Sequence, residues 1–208
     1  VKSTGTFGDV GLWSFDSMKQ LVVGDGGMIY CNNLQDKERL DKLTYLGLES
    51  KSGLSNKVDK KWWEFDISSR RSITNDIQAA IGIEQLKKID TQISKRKLIH
   101  DFYTKELGKL EWLMVPDGIP NGMNSSYYMY HIQTKKVSDR DRLAKYLRNM
   151  GIYTTFRYYP IHWVKYFKSD VKLPNTELAA NTTLCIPLHQ SLSDSDVTKI
   201  VESIKEYK

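Results

Sequence analysis

The chain has 208 residues, 40% of them hydrophobic and 27% charged, an ordinary globular composition that suits one large domain or two small ones. Its formal net charge is +6, yet the lysines are dispersed among acidic residues and no CxxC, zinc spacing or RNA-binding motif accompanies them, so no nucleic-acid partner is expected. No apolar run approaches the roughly 20 residues that span a bilayer and no signal peptide opens the chain, so a soluble, cytoplasmic protein without membrane contact is expected.

Taken in order, Val10 to Phe15 and Gly27 to Cys31 read as strands, short and rich in β-branched or aromatic residues. Between them lie a polar turn with one lysine, Lys19, the apolar run Leu21 to Val23, and the flexible Gly24-Asp25-Gly26-Gly27. An amine near apolar walls loses hydration, which eases access to its neutral, nucleophilic form. Lys19 is therefore a candidate for covalent chemistry, with a solvated loop lysine as the plain alternative. Asn32-Asn33 are placed to cap a helix from about Leu34 to Leu46, with Leu40, Leu43 and Leu46 at helical spacing. Residues 47–59 read as a loop, 60–65 (KKWWEF) as an aromatic patch, and Ser68 to Ser72 as a polar turn holding Arg70 and Arg71.

From Thr74 the pattern is helical, with Ile77, Ala80, Ile81, Ile83 and Leu86 on one face and Thr74 or Asn75 as cap. After a bend near Asp90 the helix continues to Leu107 and ends at Gly108. Pro116 to Asn124 is turn chemistry. There follow a strand from Tyr127 to Gln133, a helix from Arg140 to Met150 capped by Ser138-Asp139, and a strand from Ile152 to Tyr159. A turn at Pro160-Ile161-His162 leads to a helix at Asn175 to Asn181 and a strand at Thr183 to Leu188. Ser193 caps a last helix through Tyr207, with Asp194 and Asp196 where the helix dipole favours them. This alternation predicts a small α/β lobe. Cys31 and Cys185 lie in apolar runs and read as buried free thiols. His100 and His131 have no partners at metal spacing, so both read as structural and no metal is expected. The chain opens without methionine, and VKSTGTFGDVG reads like a domain interior, so further protein is expected upstream of Val1.

GTFGDVGLWSF with the lysine that follows, then GDGGMIY, resemble the stretch around the Schiff-base lysine of the DegT/DnrJ/EryC1/StrS sugar aminotransferases, which use pyridoxal phosphate (PLP). NDIQAAIGIEQLKKID with the later arginine of SKRK is similar to that family's long connecting helix. SSYYMYHI, GIYTTFRYYPIH and TLCIPLHQSLSDSDVTKIVESI resemble its small-domain strands and closing helix. The likeness covers essentially the whole chain. It implies an α/β fold of PLP-dependent transferase fold type I. Residues 1–108 would be the back part of the PLP-binding large domain with the connecting helix, and 109–208 the small C-terminal α/β domain.

The resemblance also implies roles. Lys19 would form the Schiff base with PLP and then carry protons across the coenzyme face. Ser14 would place a hydroxyl on the PLP phosphate, with local backbone capping as the alternative. Asp16 stands where the family has His or Asn, and reads either as orienting a substrate group or as capping the turn. Arg71 occupies the place of a family asparagine that reaches a phosphate in the neighbouring subunit's site, and Ile73 that of the family's arginine. Arg70 and Arg71 suit a phosphate or carboxylate held bidentately, or plain surface charge. His162, in YYPIH, matches a histidine near the substrate end, or serves the turn. Tyr128 stands where the family often has His. Tyr158, Tyr159 and the Trp62-Trp63 pair read as sugar-pocket lining or as core. In this fold the carboxylate on the pyridinium nitrogen and the ring stacked on the coenzyme come from the half before the lysine, which has no counterpart in the 208 residues.

The implied function is transfer of an amino group, from glutamate, to a keto sugar. That sugar is a nucleotide-linked hexose or a keto-octulosonate, whose acidic group Arg70 and Arg71 would suit. The family's dehydratase branch replaces the lysine with histidine, so Lys19 argues against it. A non-catalytic half-chain acting as a structural or regulatory subunit is the alternative from another class. A homodimer with shared active sites is expected.

Overall fold

The computed structural model describes residues 3–48 and 67–207; the Trp62-Trp63 pair and nearly all of the 47–59 loop lie outside the described residues. The chain forms two compact units, Val1–Ile89 and Asp90–Lys208.

The first unit is built on an antiparallel ribbon, β1 (Val10–Ser14) and β2 (Gly27–Cys31), in which Trp13 pairs with Met28 and Ser14 with Gly27. A Cβ at Gly27 would stand 2.6 Å from the Trp13 carbonyl oxygen, so only glycine fits that rung. Helix α1 (Leu34–Thr44) starts at Asn33, whose side chain accepts the Asp36 amide at 2.8 Å. Helix α2 (Asp76–Leu86) starts in a capping box, Asn75 and Gln78 each accepting the other's amide at 3.0 Å. Its apolar face exists as expected but stays uncovered: Ile77, Ile83 and Leu86 are exposed. The run Leu21 to Val23 is not a strand; its neighbours Asp16 and Gly24 meet in a single bridge instead.

The second unit holds the core. Helix α3 (Ile89–Leu107) buries Ile99, Tyr103 and Leu107 at helical spacing. A three-stranded antiparallel sheet runs β3 (Leu113–Met114), β4 (Tyr130–Thr134), β5 (Thr183–Ile186). Along β4, Tyr130, Ile132 and Thr134 face inward by strand alternation. Helices α4 (Val137–Asn149), α5 (Pro174–Thr182) and α6 (Asp194–Glu206) complete the layer. α4 buries Leu143 and Leu147, and α6 buries Val197, Ile200, Val201 and Ile204. Each such side chain contributes about 1.5–3 kcal/mol. α6 begins in a capping box between Ser193 and Asp196.

Three expectations are corrected. β4 begins at Tyr130, not Tyr127: Tyr127 stands at φ 50, and its carbonyl and that of Tyr128 accept from Arg96 rather than from a strand. Residues 152–159 form no strand; only Thr155 pairs, with Cys185, and Phe156 instead lies under the Arg140 guanidinium at 4.3 Å. α4 is capped by Lys136, without a side-chain bond, and Ser138 and Asp139 fall inside its first turn. Among the described residues no helix is long and apolar enough to cross a membrane.

Candidate active site

The expected lysine lies in the loop between β1 and β2, and that loop is closed at its base. The Phe15 amide donates to the Gly26 carbonyl at 2.8 Å and the Val23 amide to the Phe15 carbonyl at 3.0 Å. The Asp16–Gly24 bridge adds a rung, with Gly24 at φ 92, where glycine is favoured. The Asp25 carbonyl accepts the Gln78 side-chain amide, tying the glycine turn to α2.

Inside the loop, Asp16 organises the approach to Lys19. Its carboxylate accepts the Met18 amide at 2.9 Å and its carbonyl accepts the Lys19 amide at 2.9 Å. This is an Asx turn: it fixes the backbone of Lys19 whatever the side chain does. The Met18 amide, and after it the positive charge of Lys19, hold the Asp16 carboxyl below the usual carboxylate range. Ser14, at the end of β1, accepts the Asp16 amide on Oγ at 3.3 Å. A hydroxyl that accepts one bond keeps its own proton to donate. Lys19, Ser14 and Asp16 are thus brought together by one turn.

The arginines are placed differently. Leu46 donates to the Arg70 carbonyl at 3.1 Å, Ser72 donates to the Thr44 carbonyl at 2.8 Å, and Arg71 pairs with Tyr45. Both side chains are exposed. The Arg71 guanidinium lies 5.7 Å from the Tyr45 ring centroid and lines a cavity of ≈540 Å³ with Trp13, Asp25, Met28 and Thr74. A second, apolar groove of ≈290 Å³ runs between Phe15, Leu21 and Val23 and the α2 residues Ala79, Gly82 and Ile83. Neither lining includes Lys19 or Ser14.

His162 belongs to the second unit. It sits in a 3-10 turn, Ile161–Trp163, and its Nε2 lies 3.1 Å from a Glu177 carboxylate oxygen. That oxygen also accepts the Leu173 amide at 2.9 Å, and the amide followed by His162 holds the Glu177 carboxyl low. Tyr158 and Tyr159 are exposed rather than core. Among the described residues no group of three or more His, Cys, Asp or Glu side chains could hold a metal ion.

One residue carries more than its sequence reading gave it. Arg96 is buried and donates to the carbonyls of Tyr127, Tyr128 and Leu188 and to the Gln190 side chain, at 2.8–3.4 Å. Burial pushes its guanidinium pKa down. The signal was its place on the stripe Arg96, Ile99, Tyr103, Leu107, an arginine where spacing calls for an apolar residue.

A profile of the DegT/DnrJ/EryC1/StrS aminotransferase family matches residues 2–205. The chain belongs to this family. It is 40% identical over 205 residues to the dTDP-4-dehydro-2,3,6-trideoxy-D-glucose 4-aminotransferase of Saccharopolyspora spinosa, covering 97% of this chain and 53% of that protein. Among solved structures it superposes on the aminotransferase TlmJ from Streptoalloteichus hindustanus with a TM-score of 0.89 and 41% identity, over 98% of this chain and 53% of that one. The PLP-form of Spr1654 from Streptococcus pneumoniae shares the fold at a TM-score of 0.80 and 20% identity, over 100% of this chain and 55% of that one. The family member described here therefore spans about half the length of these relatives. Its α/β fold is the matching part of the fold type I aminotransferase architecture.

Proposed function

We propose that this chain is part of a PLP-dependent aminotransferase that moves an amino group from glutamate onto a keto sugar. The observation that carries the reading is Lys19 in a turn pinned at its base, with the Ser14 hydroxyl at the adjoining strand end. An amine that must meet a carbonyl carbon needs a fixed backbone and a mobile side chain, and the Asx turn at Asp16 supplies the first. The printed names of the relatives, a keto-sugar aminotransferase and a PLP-bound structure, support the same reading.

The donor set fits the coenzyme: a primary amine for its aldehyde, and a hydroxyl with a proton to give to its phosphate. Bound there, PLP supplies an electron sink for the carbon that exchanges its amino group. Lys19 Nζ holds the coenzyme and then moves the proton at the reacting carbon. Ser14 Oγ orients the phosphate. Asp16 serves as the turn cap and keeps a negative charge near the Lys19 amine. Arg71 takes a phosphate in the neighbouring subunit's site of a homodimer, and Arg70 and His162 serve the substrate. Lys19 stands against the dehydratase branch.

Borohydride reduction of the complete protein with PLP, followed by peptide mapping, is expected to leave the pyridoxyl group on Lys19. Labelling elsewhere overturns the assignment. No labelling at all leaves the non-catalytic subunit as the better reading. A panel of keto sugars assayed with glutamate separates nucleotide-linked hexoses from keto-octulosonates.

A further inference from the structure

A cavity of ≈500 Å³ lies in the second unit, at the 3-10 turns that follow Pro160. That size is within the roughly 300–1,000 Å³ of small-molecule sites. Tyr159 and Trp163 line it, edge to face with ring centroids 5.6 Å apart. Tyr159 is 66% exposed, so its ring has little protein covering it. Lys165 and Lys168 also line the cavity, and neither makes an ion pair among the described residues. Asp170 is the one carboxylate in the lining, so positive charge prevails. His162 completes the wall. It is 8% exposed, its Nε2 is engaged with Glu177, and its buried Nδ1 has no hydrogen-bond partner among the described residues. A buried ring nitrogen left unpaired costs free energy until a ligand or water meets it.

Nothing at Lys19 uses these groups. Aromatic rings bind a nucleobase by stacking, with tolerance for its identity. Ammonium groups bind phosphate as point charges. We propose that this cavity holds the nucleoside diphosphate of the sugar substrate, with the base on Tyr159 and Trp163, the phosphates on Lys165 and Lys168, and His162 Nδ1 on a polar group of the ligand. The site rests on the amino-transfer reading for what becomes of the sugar, and it deepens that reading. A free octulosonate has no base and would leave both aromatic rings without a partner, so the nucleotide-linked substrate is the one that fits.

The probe is dTDP, titrated into the complete protein and followed by calorimetry and tryptophan fluorescence. Saturable binding with quenching is expected, the quenching being lost in Trp163→Leu. Tyr159→Leu, at an exposed position where folding is not at stake, should weaken binding roughly tenfold. Lys165→Ala with Lys168→Ala should weaken it at least as much, and about 0.5 M salt should mimic that loss. Inorganic pyrophosphate should bind more weakly than dTDP. Absence of dTDP binding, unchanged affinity in these variants, or pyrophosphate binding as tightly as dTDP overturns the site. Lys19→Ala should bind dTDP like the parent protein. Trapping that fails at Lys19 while dTDP binds sinks amino transfer alone, and trapping that succeeds while dTDP does not bind sinks this site alone.

Discussion

Asp16 separates two roles that its position in the sequence left open, capping and charge. Its carboxylate accepts the Met18 amide, a bond that an asparagine side chain makes equally well. Asp16→Asn is therefore expected to keep PLP trapping near the parent rate. Asp16→Ala, which frees the backbone before Lys19, should slow it by up to roughly a hundredfold, as small misplacements of a reacting group do. Stopped-flow absorbance of PLP binding reads both. If Asn fails as Ala does, the charge itself is required and the capping role is wrong. Arg96 gives a second test at this scale. Its removal leaves several buried acceptors unpaired, so Arg96→Ala should lower unfolding free energy by about 3 kcal/mol, read from urea midpoints. Arg96→Lys should rescue little, because one ammonium does not span acceptors that a planar fork reaches together. An unchanged midpoint in Arg96→Ala would show that water replaces the guanidinium there.

Between elements, the contact with a clear acid signature joins α3 to α6. Glu106, on α3, is paired with Lys109 at 2.8 Å and with Lys205 of α6 at 2.9 Å. Hydrogen bonds from Lys109 and then Lys205 bring its carboxyl down to about 2. A carboxyl whose folded pKa lies below its unfolded value stabilises the fold above the unfolded value, and that contribution disappears as pH falls through the folded one. The urea midpoint should thus drop as pH goes from about 5 to about 2, and Glu106→Gln should flatten that part of the profile. A variant profile parallel to the parent's would discount the pair. Elements of this kind were legible in the sequence where a local signal sufficed. Asn33, Asn75 and Ser193 all cap as their residue types require, and α6 follows its apolar spacing. The failures are tertiary. Residues 152–159 carry strand-like residues, but only Thr155 finds a partner in β5. Tyr127 leaves the extended region because Arg96, 31 residues earlier, claims its carbonyl. The turn at Lys19 was visible as polar residues and glycines between apolar runs. The Glu177 partner of His162 was not, since no spacing links positions 15 residues apart in a loop and a helix.

Across the whole molecule the two units differ in what holds them. The second unit carries a continuous cluster from Ile99 to Ile204, including fully buried Tyr103, Leu107, Tyr130, Ile132, Leu143, Leu147 and Leu184. In the first unit, among the described residues, Val23 is the one buried hydrophobic side chain, while Leu12, Met28, Ile77, Ile83 and Leu86 are each at least half exposed. Ordering a residue's backbone costs roughly 1–2 kcal/mol, and burial is the main term that offsets it. A ribbon and two helices with so little burial do not offset that cost alone, and two-stranded ribbons are marginal in water in any case. A fragment of residues 90–208 should therefore unfold cooperatively in urea and resist protease. A fragment of residues 1–89 should bind a hydrophobic dye, show no cooperative transition and be cut within its helices. The complete protein should protect the same residues, because polypeptide that covers α2 and the ribbon removes the exposed apolar surface. Hydrogen exchange across α2 measures this directly: slow exchange in fragment 1–89 would mean that the first unit is stable without cover.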